Sequence, residues 1–223
     1  MTCPLKYFTM DKRNYQKEME QIIAAEQHAG HVPTLLLHSC CAPCSSAVLE
    51  RPTPYFDLIV FYYNPNISPQ DEYRKRISEL RRLIGEMPKV HSIRLIEGNY
   101  DPARFYAAAE GLEDCPEGGE RCMRCFRLRL EEAAGVCRDM DLDYFTTTLT
   151  ISPLKNAQAL NEIGEDAARR FGVRFLPSDF KKKDGYRRSI ALSREYGLYR
   201  QNFCGCVFSR EQANLRKSRA GAR

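Results

Sequence analysis

The chain has 223 residues, 43% of them hydrophobic and 28% charged, with a formal net charge of +5. That length supports one hydrophobic core with at most a small annex. No apolar run approaches membrane-spanning length; the longest, Thr34–Leu37 and Leu58–Tyr63, are strand-sized. The polar start, Met1–Asp11, lacks the apolar core of a secretion signal, so a cytosolic location is expected, and the mild basicity permits a nucleic-acid partner without requiring one.

In chain order, Asp11 to His28 predicts an amphipathic helix with Tyr15, Met19, Ile22 and Ile23 on one face. Thr34 to His38 predicts a buried strand, followed by a Ser39–Pro43 loop and a helix whose cap is expected at Ser45. Asp57–Tyr63 predicts a second strand, and Ser68 with Pro69 opens the next helix, running to about Met87. A third strand is expected over His91–Glu97 and a short helix over Pro102–Ala109. After an acidic loop, Gly111–Arg121, a helix is expected from Cys122 to Val136. A fourth strand at Tyr144–Thr148, a helix at Asn156–Phe171 and a short fifth strand at Val173–Leu176 follow, then a basic helix at Tyr186–Tyr196 and a cysteine-bearing end. Strands alternating with helices argue for a parallel sheet covered on both faces, a Rossmann-like α/β arrangement whose site lies at the carboxyl ends of the strands. The Cys40-Cys41 loop occupies such an end.

Ten cysteines stand at 3, 40, 41, 44, 115, 122, 125, 137, 204 and 206. A reducing compartment would open disulfides, so clustered thiols point to a metal or to redox chemistry. Cys122 and Cys125 have the spacing that puts two thiolates on one face of a first helical turn, where the helix dipole favours the anion. Cys40 and Cys41 can reach two corners of one cluster from a tight turn. Two plus two suits an iron–sulfur cluster, and structural zinc suits the same ligands equally well. Cys204-Gly205-Cys206 can close a strained, labile disulfide, or bind a second metal completed by Cys44 or a carboxylate such as Asp114. Cys137 reads as core, and Cys3 and Cys115 carry weaker claims.

The segments LLLHSCCAPCS (35–45), FYYNPNISPQDEY (61–73), GLEDCPEGGERCMRCFRLRL (111–130), FTTTLTISPLKN (145–156), DFKKKDGYRRSI (179–190) and LYRQNFCGCVFS (198–209) resemble the QueH family of epoxyqueuosine reductases. The resemblance implies reductive removal of the epoxide oxygen of epoxyqueuosine at the tRNA wobble position, giving queuosine in the last step of its biosynthesis. It implies a 4Fe–4S cluster on Cys40, Cys41, Cys122 and Cys125 and no cobalamin, with tRNA bearing epoxyqueuosine and an electron donor as partners and no membrane. The expected architecture is α/β, a Rossmann-like, HUP-type parallel sheet flanked by helices with a small C-terminal helical annex. Residues 1–32 are expected to form a helical extension, 33–209 the catalytic domain and 210–223 a basic tail.

Removing an epoxide oxygen takes two electrons and two protons, and a cluster moves one electron at a time. A second redox element is useful, and Cys204 and Cys206 are the catalytic candidates, either as a dithiol pair or, with Cys44, as ligands of a second iron that could polarise the oxygen. Asp179, Tyr186 and Tyr199 are the candidate proton donors. Lys181, Lys182, Lys183, Arg187 and Arg188 form the candidate phosphate-binding patch, with tyrosines and phenylalanines near the motifs available for stacking, though Tyr62 and Phe126 read as core. A tRNA sulfur-transferase of the ATP-pyrophosphatase type would need a glycine-rich phosphate loop where Ser39–Cys44 stands, which has no glycine. A zinc-stabilised RNA-binding module is the third reading, separable by its lack of visible absorption.

Overall fold

A computed structural model describes residues 13–221 of the chain. Helix α1 (Tyr15–His28) precedes β1 (Thr34–Ser39), α2 (Ala42–Glu50), β2 (Asp57–Tyr62), α3 (Gln70–Glu86) and β3 (Ile93–Glu97). Then come α4 (Pro102–Ala109), α5 (Glu120–Asp139), β4 (Tyr144–Thr147), a 3₁₀ turn at Thr148–Ile151, α6 (Ala157–Phe171), α7 (Gly185–Glu195) and α8 (Val207–Gly221). The four strands are parallel in the order β3-β2-β1-β4. The Rossmann-like α/β sheet expected from the alternation is the architecture found.

The two-residue side-chain period divides the sheet into two faces. Leu35, Leu37, Leu58, Val60 and Tyr62 join a core with α2 and α3 through Leu49, Leu80 and Leu83. Leu36, Ile59, Phe61 and Tyr63 pack on the opposite face with Ala133, Ala134, Cys137 and Ala167 of α5 and α6. Burial on both faces is why β1 and β2 read as apolar runs rather than alternating ones. Gly164 of α6 is required by the close approach of Phe175, whose ring would lie 2.4 Å from an added Cβ.

The strand order positions the site. From β1 the chain steps outward through β2 to β3, then returns to the other side of β1 as β4. The crevice beyond the carboxyl ends of β1 and β4 is therefore the switch point where such sheets bind ligands. The Ser39–Cys41 segment after β1 and the Thr148–Ile151 turn after β4 open there.

Two local expectations are corrected. The helix after the cysteine loop starts at Ala42 with Cys41 as the capping residue, not at Ser45. Pro43 fits the first turn, and Ser45 Oγ lies within the helix, donating to the Cys41 carbonyl at 2.9 Å. The fifth strand is reduced to one parallel bridge, Phe145 to Phe175. Phe145 N donates to Arg174 O at 3.0 Å and Leu176 N to Phe145 O at 2.9 Å, after which Pro177 has no N–H to continue the ladder. Residues 210–221, expected as a basic tail, lie in α8, which begins at Val207. Cys3 and Arg223 lie outside the described residues.

Candidate thiolate site

Cys40 and Cys41 occupy the tight exit from β1, and Cys44 follows one turn later on α2. Their three sulfurs all lie within 4.8 Å of one another. Cys40 Sγ stands 3.7 Å from Cys41 Sγ, and Thr148 Oγ1 from the turn after β4 donates to Cys40 Sγ at 3.8 Å. Hydrogen bonds from Cys41 and Cys44 hold the Cys40 thiol well below the ordinary range despite burial. Their partnership with Cys40 pushes Cys41 up to about 12 and Cys44 upward as well. The triad thus favours a thiolate at Cys40 over one at Cys41 or Cys44, and a metal bound there would displace the thiol protons.

Cys122 and Cys125 lie in the first turns of α5, whose N-cap is Gly119. Burial pushes them up to about 11 and about 12, respectively, while the Gly118 N–H donates to Cys122 Sγ at 3.3 Å and opposes that rise. Cys122 and Cys44 both pack against the apolar cluster that contains Cys40, Cys41, Phe126 and Leu130. Phe126 is buried at 3% exposure and Tyr62 at 0%, so both serve the core.

Cys204 joins the two thiol groups. It lines a cavity of about 300 Å³ with Cys40, Cys41 and Cys44, and a smaller one of about 20 Å³ with Cys122, Cys125 and Cys206. The segment carrying it is pinned to the start of α3. Ser68 N donates to Gly205 O at 3.0 Å, and Arg76 Nη1 donates to Cys204 O at 2.8 Å. Gly205 is required here: its φ is +132°, and an added Cβ would stand 2.9 Å from Ile67 and 3.1 Å from the Arg76 guanidinium.

Of the candidate proton donors, Tyr186 lines the larger cavity. Asp179 opens instead into a neighbouring basin, paired with Lys181 at 2.7 Å. Tyr199 Oη donates to Glu72 at 3.1 Å, away from that cavity wall. The carboxylate that faces both cavities is Glu117 of the acidic loop, not Asp114, which is exposed. Lys181, Lys182 and Lys183 line the open basin of about 740 Å³ together with Arg13 and Lys155. Lys155 also lines the thiol cavity, so the two depressions meet at its side chain. Lys183 pairs with Glu20 and Arg188 with Glu50, whereas Lys182 and Arg187 stand exposed.

Sequence reasoning missed the arginines. Arg76, Arg121 and Arg129 are each 1–2% exposed, although arginine is among the residues least often buried. Arg121 donates to the carbonyls of Leu112 and Glu113 and stacks over Phe208 at 4.3 Å, fixing the acidic loop and the start of α8 together.

Cys40, Cys41 and Cys44, grouped at the switch point of a parallel α/β sheet, make a thiolate donor set that could hold a metal. The family model described as epoxyqueuosine reductase QueH matches residues 35–212. The chain is 43% identical to epoxyqueuosine reductase QueH of Staphylococcus epidermidis over 202 residues, covering 89% of this chain and 85% of that protein. It is 39% identical to its counterpart in Streptococcus pyogenes, over 92% and 81% of the two chains, and 37% identical to that of Thermotoga maritima, over 79% and 90%. The chain belongs to the QueH family of epoxyqueuosine reductases and is an oxidoreductase.

Proposed function

We propose that Cys40, Cys41, Cys122 and Cys125 hold a 4Fe–4S cluster and that Cys204 and Cys206 form the second redox or metal element beside it. As an epoxyqueuosine reductase the chain converts epoxyqueuosine to queuosine in tRNA. The observation that carries the reading is the place of Cys204, which lines the cavities of both thiol groups. The donor set fits the group: buried sulfur ligands suit iron–sulfur chemistry, and orphaned guanidinium nitrogens on Arg76 and Arg129 suit an anionic occupant.

The overall step breaks both C–O bonds of the epoxide, takes up two electrons from an external donor and two protons, and leaves an alkene and water. A bound cluster would supply the electrons one at a time. Cys204 and Cys206 offer a dithiol beside it, or with Cys44 a site for a second iron. Glu117 and Tyr186 are the oxygen acids that line the larger cavity, and either can hold a proton for the departing oxygen. Phe203 and Leu154 give the cavity apolar walls on which a base can rest. Lys155 continues the cavity into the basin of Lys181–Lys183, a path for the phosphates on either side of the inserted nucleoside, with Arg187 and Arg188 on the same basic segment. A cytosolic setting agrees with reduced thiols, and no helix among the described residues is long and apolar enough to cross a membrane.

The close grouping of Cys40, Cys41 and Cys44 supports a second reading, in which these three with Cys204 hold one metal. Iron and sulfide analysis of anaerobically purified protein tests both. The first reading expects about four irons and four sulfides per chain, retained in Cys44→Ser. Loss of all metal in Cys44→Ser together with full retention in Cys122→Ser would establish the second instead.

A further inference from the structure

Arg129 is a buried cation without a carboxylate. It is 1% exposed, and neither side chain that it hydrogen-bonds is a carboxylate: Nε donates to His38 Nε2 at 3.3 Å, and Nη2 donates to Asn64 Oδ1. The remaining nitrogen, Nη1, is buried without a hydrogen-bond partner. Arg76 shares with Arg129 its burial and one unpartnered nitrogen, but it has a carboxylate partner. It is 2% exposed, Nε pairs with Glu72 at 2.8 Å, Nη1 donates to Cys204 O, and Nη2 is left without a partner.

An uncompensated buried charge costs several kcal/mol and is retained only where an opposite charge meets it. Arg129 is such a group, and Arg76, although its Nε is paired with Glu72, keeps a second buried nitrogen unpartnered beside the same site. Arg129 lies one helical turn beyond Cys125 on α5, and Arg76 lines the cavity of Cys40 and Cys41. Beside Arg129 stand the thiols of Cys125, Cys40 and Cys204, and beside Arg76 stand that of Cys41 and the Glu72 carboxylate. These thiols are the nearest groups able to carry the missing negative charge.

We infer that Arg76 and Arg129 are resident countercations of the thiolate-bound metal group, so that the site is built for an occupant of net negative charge. The inference rests on the reading that the cysteines ligate metal, but not on which metal. Four thiolates leave either a zinc ion or a 4Fe–4S core as a net anion. Nη1 of Arg129 and Nη2 of Arg76 are free to donate to that anion's sulfurs. With a redox-active occupant, both cations favour the more negative, reduced state, and they hold its potential up.

The test uses full-length, anaerobically purified protein and the variants Arg129→Gln, Arg129→Lys, Arg76→Gln and Arg76→Lys. Glutamine keeps a polar group in each niche and removes the charge. In both Gln variants, a chelator should strip the metal faster by at least about tenfold, well within the cost of breaking a buried charge pair. The Lys variants should recover much of that loss. If the metal is an iron–sulfur cluster, its midpoint potential should move negative in the Gln variants and return toward the parent value with Lys. A structural arginine would lower thermal stability without moving the potential or being rescued by charge alone. Arg76→Gln decides the matter if Arg129→Gln does not fold. Parent release rates in folded Gln variants overturn the inference while leaving the cluster reading intact. Zinc in place of iron and sulfide overturns the cluster reading alone, and the release arm still applies.

Discussion

Cys40, Cys41 and Cys204 look alike as residues and differ in surroundings. Cys40 and Cys41 are buried at 7% and 3% exposure against Phe126 and Leu130, whereas Cys204 is only part-buried and faces both cavities. A ligand is best buried, and a group that meets substrate must be reached from outside. Cys41→Ser should therefore lose cluster absorbance and turnover together. Cys204→Ser should keep the absorbance while turnover falls by about a hundredfold or more, the scale of losing a group engaged in the reaction. Visible spectra and single-turnover assays of the two variants check this; parent turnover in Cys204→Ser would make the Cys204–Cys206 pair structural. The cysteine groups were legible because paired thiols are rare. The arginines were not. Arg76 was lost among the many charges of QDEYRKRISELRRLIGE, although its place on the stripe of Tyr73, Ile77, Leu80 and Leu83, which the other arginines of that helix do not share, was the signal that could have found it.

At the scale of elements, β1 and β4 are tied by a side chain as well as by their ladder. The Asp143 carboxylate accepts from Thr34 N at 2.9 Å and Thr34 Oγ1 at 2.8 Å, and pairs with Arg174 at 3.0 Å. Burial alone would raise its pKa, but the Thr34 hydrogen bonds and Arg174 prevail and hold it below the ordinary 3.8. The folded state therefore favours the anion more than the unfolded chain does. This stability is present above the ordinary carboxylate range and is lost as pH falls below it. Thermal melts across the acid limb should be steeper for the parent than for Asp143→Asn, and identical acid limbs would remove Asp143 from the account. Element order was readable because apolar strands alternate with amphipathic helices. What failed was local. Ser45 resembles a cap in one dimension, but Pro43 already fits a first turn, and Pro177 ends the fifth strand after one bridge. The helix over Val207–Gly221 was hidden by its basic, weakly patterned sequence.

For the whole molecule, charge distribution matters more than the net +5. Of the proposed phosphate contacts, Lys181, Lys183 and Arg188 already face carboxylates, whereas Lys182 and Arg187 stand exposed. A phosphate must displace a carboxylate from the former group but not from the latter. Lys182→Ala and Arg187→Ala should each weaken tRNA binding at low salt and reduce the slope of log affinity against log salt by about 0.7. Binding isotherms at several salt concentrations check it; unchanged slopes would move the RNA path to another face.

The thiols that share the two cavities come from the beginning, the middle and the end of the chain: Cys40 after the first strand, Cys122 on the fifth helix and Cys204 just before the last. A ribosome therefore delivers the parts of this site in an order that leaves its keystone until last. While Cys204 is still inside the exit tunnel, the earlier cysteines stand uncovered at the sheet edge, and Arg76 lacks the carbonyl it will hold. The thiols of the first two groups can meet on a nascent chain, but their enclosure waits until Cys204 emerges. A message cut short before codon 204 would yield a polypeptide with its sheet complete and its site permanently ajar.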